Sequence, residues 1–246
     1  MSLAPMYLTQ FRLNTARAGA RKLLSSPQAM HAAVMSSFSE PPATEGEASS
    51  PRVLWRLDRN ARSEVRLFLS SPARPDLTHL VEQAGWPAVA TPGAPGWKTY
   101  DYGTFLARLD KGSTWDFRLT ANPVHYARTK KGQKSTKRTA HLVPEYQLQW
   151  LLDRQDRGGF RVLEKPPERR HVQHGDEYQC VVREQRNLSF HKRGNDDRVQ
   201  LLAVTYDGRL EVTDPDALRA LLTRGLGKAK AYGCGLMTLA PTPQGS

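Results

Sequence analysis

Segments that alternate apolar and polar residues, and segments with apolar residues at helical spacing, follow one another as strand, helix, strand, strand, helix, strand. The same order returns in the second half of the chain. That order, with a length of 246 residues, predicts an α+β fold of two tandem ferredoxin-like (RRM-like, βαββαβ) units, 1–111 and 112–246, divided near Asp110 to Ser113. No residue-level repeat relates the halves, so the expectation rests on element order.

In the first unit, Tyr7 to Leu13 alternates as a strand, and an irregular basic stretch follows. Ser26-Pro27 supplies a capping residue and a first-turn proline for a helix to about Phe38, whose apolar stripe is Met30, Ala33, Val34 and Phe38. His31 lies about 100° round the helix from Met30, at the edge of that stripe. Arg52 to Asp58 and Glu64 to Ser70 form a hairpin, Asp76 to Ala84 a short helix, and Tyr100 to Leu109 the closing strand. In the second unit Trp115 to Leu119 is a strand, a basic loop follows, and Glu145 to Arg157 is a helix ended by Gly158-Gly159. Phe160 to Leu163 is a short strand. Tyr178 to Phe190 and Val199 to Tyr206 make a long hairpin, Gly208 to Val212 extends the sheet, and a helix over 215–224 and a strand over 236–239 close the unit.

Hydrophobic content of 39% and charged content of 24% suit a globular protein, and no run of about 18 apolar residues predicts a membrane span. No secretory leader is expected, and two distant cysteines, Cys180 and Cys234, fit a reducing cytoplasm better than a disulfide framework. The net charge of +12 is unevenly placed. Residues 1–38 carry Arg12, Arg17, Arg21 and Lys22 with no acid, and residues 125–143 carry Arg128, Lys130, Lys131, Lys134, Lys137 and Arg138 with no acid. Ten of the twelve excess charges therefore sit in two segments, which points to a polyanion partner. The alternative is a solvated tail and loop.

Near the C-terminus, Gly225, Gly227, Gly233 and Gly235 stand with Lys228 and Lys230 in eleven residues. Ala229 occupies the hydroxyl position of a Walker loop and Lys230 a glycine position of a dinucleotide fingerprint, so neither motif is present. The stretch follows a helix C-terminus, whose partial negative charge repels phosphate; an anion there would need the two lysines and loop amides. A glycine turn packed on the sheet is the equal alternative. His171 and His174 are joined by no further ligand cluster, so no metal or cofactor is expected.

These features in this order resemble the CasE-type CRISPR precursor-RNA endoribonucleases, the processing subunits of type I-E Cascade. The resemblance is carried by Met6-Tyr7-Leu8-Thr9, Met30-His31, Leu54-Trp55-Arg56-Leu57, Phe117 to Pro123, Gly159 to Leu163, Gly208 to Pro215 and the glycine-rich loop. It implies metal-free cleavage of CRISPR repeat RNA at the base of its stem-loop by 2′-hydroxyl attack, leaving a 2′,3′-cyclic phosphate and a 5′-hydroxyl. It further implies retention of the product in a complex with other Cascade subunits and away from any membrane. His31 matches the family's catalytic histidine. Gln28 stands where the family commonly has tyrosine, and it can hydrogen-bond a phosphate or the 2′-hydroxyl without titrating. Arg17, Arg21 and Lys22 are candidates for the scissile phosphate, and Lys228 and Lys230 for the hairpin's phosphates. A non-catalytic subunit that binds an RNA hairpin is the alternative.

Overall fold

A computed structural model describes residues 5–40, 50–60, 64–91, 93–128, 136–172, 175–191 and 198–242. The first sheet contains β1 (Tyr7–Leu13), β2 (Leu54–Arg59), β3 (Val65–Ser71) and β4 (Trp97–Asp101) in the order β2-β3-β1-β4, all antiparallel. Three helices serve it: α1 (Ala18–Ser25), α2 (Pro27–Met35) and α3 (Thr78–Ala84). They bury Ala20, Leu23, Met30, Val34, Leu80 and Val81 with the inward residues Phe11, Leu13, Trp55, Leu67 and Leu69. This is the expected ferredoxin-like order, since strand alternation puts one apolar set per strand under the helices.

Two local expectations are corrected here. The stretch after β1 is helical: α1 has no side-chain N-cap, and its apolar content is only Ala20 and Leu23 on the buried side with Leu24 beside them, so nothing in the sequence marks its start. The closing strand ends at Asp101, where a helix α4 (Tyr102–Leu106) begins. Asp101 accepts from Thr104 N–H at 3.1 Å and Thr104 hydroxyl at 2.6 Å, a cap that outweighs the alternating pattern beyond it.

The second sheet is built from β5 (Thr114–Ala121), β8 (Phe160–Val162), β10 (Arg198–Val212) and β11 (Met237–Pro241) in the order β11-β5-β10-β8, with β9 (Cys180–His191) also paired to β10. Residues expected as two strands are thus one 15-residue strand, β10. The described part of the basic segment is a two-stranded antiparallel ribbon, β6 (Val124–Arg128) and β7 (Thr136–Ala140). The long helix divides into α5 (Pro144–Leu152) and α6 (Gln155–Gly158), and Gly159 ends the second at φ 69°. Helix α7 (Pro215–Arg224) starts on Asp214, whose carboxylate accepts from Asp216 and Ala217 N–H, each at 3.0 Å. Met6, Tyr102, Leu106 and Leu109, which precede the expected division, are buried in this second core.

One arginine fastens the sheets together. Arg56 on β2 is 1% exposed, and its five N–H groups donate to both Asp58 oxygens, the Arg118 and Leu236 carbonyls and the Thr238 hydroxyl, at 2.6–3.0 Å. Arg118 in turn donates to Asp207 at 2.6 and 2.7 Å and to Asp58 at 3.3 Å. Every donor of the buried guanidinium is satisfied, the condition under which a buried charge is tolerated.

Candidate functional site

Helix α2 begins where Ser26 Oγ accepts from Ala29 N–H at 3.2 Å and Pro27 fixes the first turn. Met30 and Val34 are fully buried, which turns His31 to the edge of the helix and into a cleft of about 960 Å³. Its far wall is the end of α7, α6 and the glycine-rich loop, so the cleft lies between the two units. His31 Nδ1 is buried with no partner among the described residues, which leaves Nε2 as the nitrogen able to meet a ligand. Burial holds the imidazole pKa below its usual 6.5, because charging it costs solvation.

The loop follows α7 as a chain of left-handed residues. Gly225, Gly227, Gly233 and Gly235 have φ of 77°, 80°, 80° and 95°, and Ala229 is the one non-glycine with positive φ among the described residues, at 61°. Two glycines are fixed by close approach: a Cβ at Gly233 would stand 2.6 Å from the Trp55 ring, and one at Gly225 would stand 2.8 Å from Leu54. The packed-turn alternative and the anion alternative therefore both describe this loop. Its glycines lean on β2, while the N–H groups of Gly227, Lys228 and Ala229 have no hydrogen-bond partner among the described residues and border the cleft. Successive free amides around a left-handed residue are an anion-binding arrangement, and a strained alanine in their midst is a functional signal.

Six cations line the same cleft: Arg52, Arg154, Arg157, Arg224, Lys228 and Lys230, with no carboxylate among the described lining residues. Arg154 lies 4.1 Å from the Trp150 ring centre and donates to the Trp150 carbonyl. Lys230 is half-buried, and its ammonium pKa is lowered first by burial and then by the charges of Arg52 and Lys228. The cleft is therefore a region of uncompensated positive charge.

The expected site residues divide as follows. His31, Lys228, Lys230, Gly225 and Gly227 meet in the cleft; Gly233 and Gly235 are buried just behind it. Gln28 is one turn before His31, half-buried and not among the lining residues. Arg17 donates to the Val81, Glu82 and Gly85 carbonyls at the end of α3, supplying the partners that helix terminus lacks. Arg21 donates to the Thr15 and Ala16 carbonyls, and Lys22 is exposed on α1; none of the three lines the cleft. Arg128, Lys137 and Arg138 stand on β6 and β7, and Lys130, Lys131 and Lys134 lie outside the described residues. Sequence reasoning missed Arg52, Arg154, Arg157 and Arg224. The signal for the second and third was an i, i+3 spacing next to Gly158, and for the last its place immediately before Gly225.

A family model described as CRISPR associated protein matches residues 6–241, nearly the whole chain. The chain belongs to this family. Among its relatives, the CRISPR-associated endoribonuclease Cse3 of Thermus thermophilus is 32% identical over 239 residues, covering 96% of this chain and 100% of the relative. The CRISPR system Cascade subunit CasE of Escherichia coli is 28% identical over 197 residues, covering 76% and 88%. A solved structure of Thermus thermophilus Cse3 bound to an RNA representing a pre-cleavage complex superposes with a TM-score of 0.71 at 31% identity, over 96% of this chain and all of that one. The family's fold is thus the tandem ferredoxin-like one described above. None of the helices described is long and apolar enough to cross a membrane.

Proposed function

We propose that this protein is an endoribonuclease that cuts CRISPR repeat RNA at the base of its stem-loop without metal, and that it keeps the product as a subunit of a Cascade complex in the cytoplasm. One observation carries the reading: a single cleft joins His31 to six cations and a run of free amides, with no carboxylate among the described lining residues. That donor set repels a divalent cation and suits a phosphodiester. The naming of relatives as an endoribonuclease and a Cascade subunit, and the RNA held by one of them, support it. Free thiols at Cys180 and Cys234 suit a reducing compartment.

In this reading the unit over 1–111 supplies His31 and the unit over 112–246 supplies the basic hairpin and the glycine-rich loop. With its proton on Nδ1, His31 Nε2 takes the proton of the 2′-hydroxyl as that oxygen attacks the adjacent phosphorus. Its lowered pKa keeps it in the accepting form at neutral pH. Lys228, Lys230 and the amides of 227–229 hold the phosphate and meet the charge that grows on it in the transition state. Arg128, Lys130, Lys131, Lys134, Lys137 and Arg138 grip the stem's backbone, and Gln28 hydrogen-bonds the RNA beside His31.

The test is cleavage of the cognate repeat hairpin in EDTA followed by identification of the ends. A 2′,3′-cyclic phosphate and a 5′-hydroxyl are expected; dependence on a divalent cation, or a 3′-phosphate that never passes through a cyclic form, would overturn the mechanism. Gln28, which cannot titrate, favours a second reading as a non-catalytic hairpin-binding subunit. It predicts no cutting of the repeat even at large enzyme excess.

A further inference from the structure

Two-proton chemistry needs a donor for the leaving group as well as a base, and His31 fills only the second role. We propose that Lys230 is the proton donor to the 5′-oxygen, so that the glycine-rich loop carries a catalytic residue as well as a phosphate grip. The inference rests on the ribonuclease reading above and names the missing half of its chemistry.

The loop is shaped around this lysine. A Cβ at Gly225 would come within 3.0 Å of Lys230 Cε, and one at Gly235 within 3.2 Å of its Cγ. The side chain therefore runs across two glycines, and any other residue at either place would crowd its stem. Lys230 and His31 line the same cleft, and the turn Lys230–Tyr232 packs directly against α2, so donor and base ride on touching elements. The charged and titratable groups that line the cleft with it are His31, Arg52, Arg154, Arg157, Arg224 and Lys228, with no carboxylate among the described lining residues to hold the ammonium in its charged form. Burial and the neighbouring cations move its pKa down toward the working range of a general acid.

The other cations do not fit the task. A guanidinium does not act as a proton donor in proteins, so the four arginines serve to stabilise charge. Lys228 is exposed on the rim, with no comparable seat. The Gln28 amide can donate a hydrogen bond but is not an acid that could protonate the leaving oxygen. In the step itself the 2′-oxygen bonds to phosphorus and its proton passes to His31 Nε2. The P–O5′ bond breaks with its electron pair on the 5′-oxygen, which takes a proton from Lys230 Nζ. Imidazolium and neutral amine remain, and exchange with water restores both.

The experiment compares single-turnover cleavage of two repeat hairpins, one with the natural 5′-oxygen and one with 5′-bridging sulfur at the cut, whose thiolate leaves without a proton. Wild type, Lys230→Arg, Lys230→Met and His31→Ala are assayed, and binding of an uncuttable 2′-deoxy hairpin reports an intact fold. Both Lys230 variants are expected to cut the oxygen substrate at least about 100-fold slower than wild type, the lower end for a lost acid. They should bind the 2′-deoxy hairpin within about tenfold of wild type, the cost of one charge-assisted contact. On the sulfur substrate they should recover to near wild-type rates, whereas His31→Ala stays slow; the fall in wild-type rate at high pH that loss of the Lys230 proton imposes on the oxygen substrate should be absent on the sulfur one. Wild-type rates for Lys230→Arg on the oxygen substrate, or no relief by sulfur, would overturn the donor role and leave the ribonuclease reading standing. A wild-type protein that cuts neither hairpin would overturn both.

Discussion

His31 owes its position to one capped helix start and one buried stripe. Both are written in consecutive residues, Ser26-Pro27 and then Met30 and Val34, and for that reason the histidine could be placed on a helix edge from sequence. What sequence could not give was the opposite wall of the cleft. Because burial lowers the imidazole pKa, the unprotonated ring is present above that lowered value and lost as pH falls through it. The acid limb of kcat/KM for repeat cleavage is therefore expected to have its midpoint below 6.5, the ordinary histidine value, since kcat/KM reports the free enzyme. A midpoint above 6.5 would mean that His31 is not the base. At the start of the same helix, Ser26→Ala removes the acceptor for Ala29 N–H and should cost about 1 kcal/mol in a denaturant titration.

The elements differ in how clearly the chain announces them. Strands with strict alternation and helices with a side-chain cap, such as β1, α2 and α7, were legible. Helix α1 was not, because its start is held by no side-chain cap, and the Arg17 that precedes it caps α3 instead. The end of β4 was misplaced because Asp101 pairs with Thr104 in a turn that competes with continued alternation. The glycine-rich loop was visible as a compositional outlier, yet its tertiary reason, the rings and leucine of β2 and α5 that its glycines touch, has no local signal. Gly233→Ala forces a Cβ into the Trp55 ring at a φ that favours glycine, and it should destabilise the protein by more than about 1 kcal/mol and weaken hairpin binding. For the basic segment over 125–143, replacing Lys130, Lys131 and Lys134 by alanine should flatten the plot of log affinity against log salt by roughly 0.7–0.9 per lost phosphate contact. An unchanged slope would remove these lysines from the interface.

At the scale of the whole molecule, tandem units leave a seam, and the cleft lies in it. Arg154 stands beside Asp153 and Arg157 beside Asp156, so each reads as ordinary surface charge until folding brings the arginines to the glycine-rich loop and leaves the acids elsewhere. Half of the site was therefore legible, the half set by local composition, and the half supplied by scattered arginines was not. The seam itself depends on Arg56, three of whose five donors cross from β2 to the Arg118 and Leu236 carbonyls and the Thr238 hydroxyl of the other sheet's strands. Arg56→Ala leaves the Asp58 carboxylate only its 3.3 Å contact with Arg118, takes a donor from two carbonyls, and should cost about 3–5 kcal/mol of stability, read from urea or guanidinium unfolding. The exposed Arg12, paired with Glu64, should be replaceable without a measurable change.

That His31 and the loop serve one reaction is tested most directly by single-turnover cleavage of the repeat hairpin by His31→Ala, with binding of the 2′-deoxy hairpin measured in parallel. Loss of at least about 100-fold in rate with affinity kept within a few-fold is the predicted result. Cleavage by His31→Ala at the wild-type rate would place the chemistry outside this cleft.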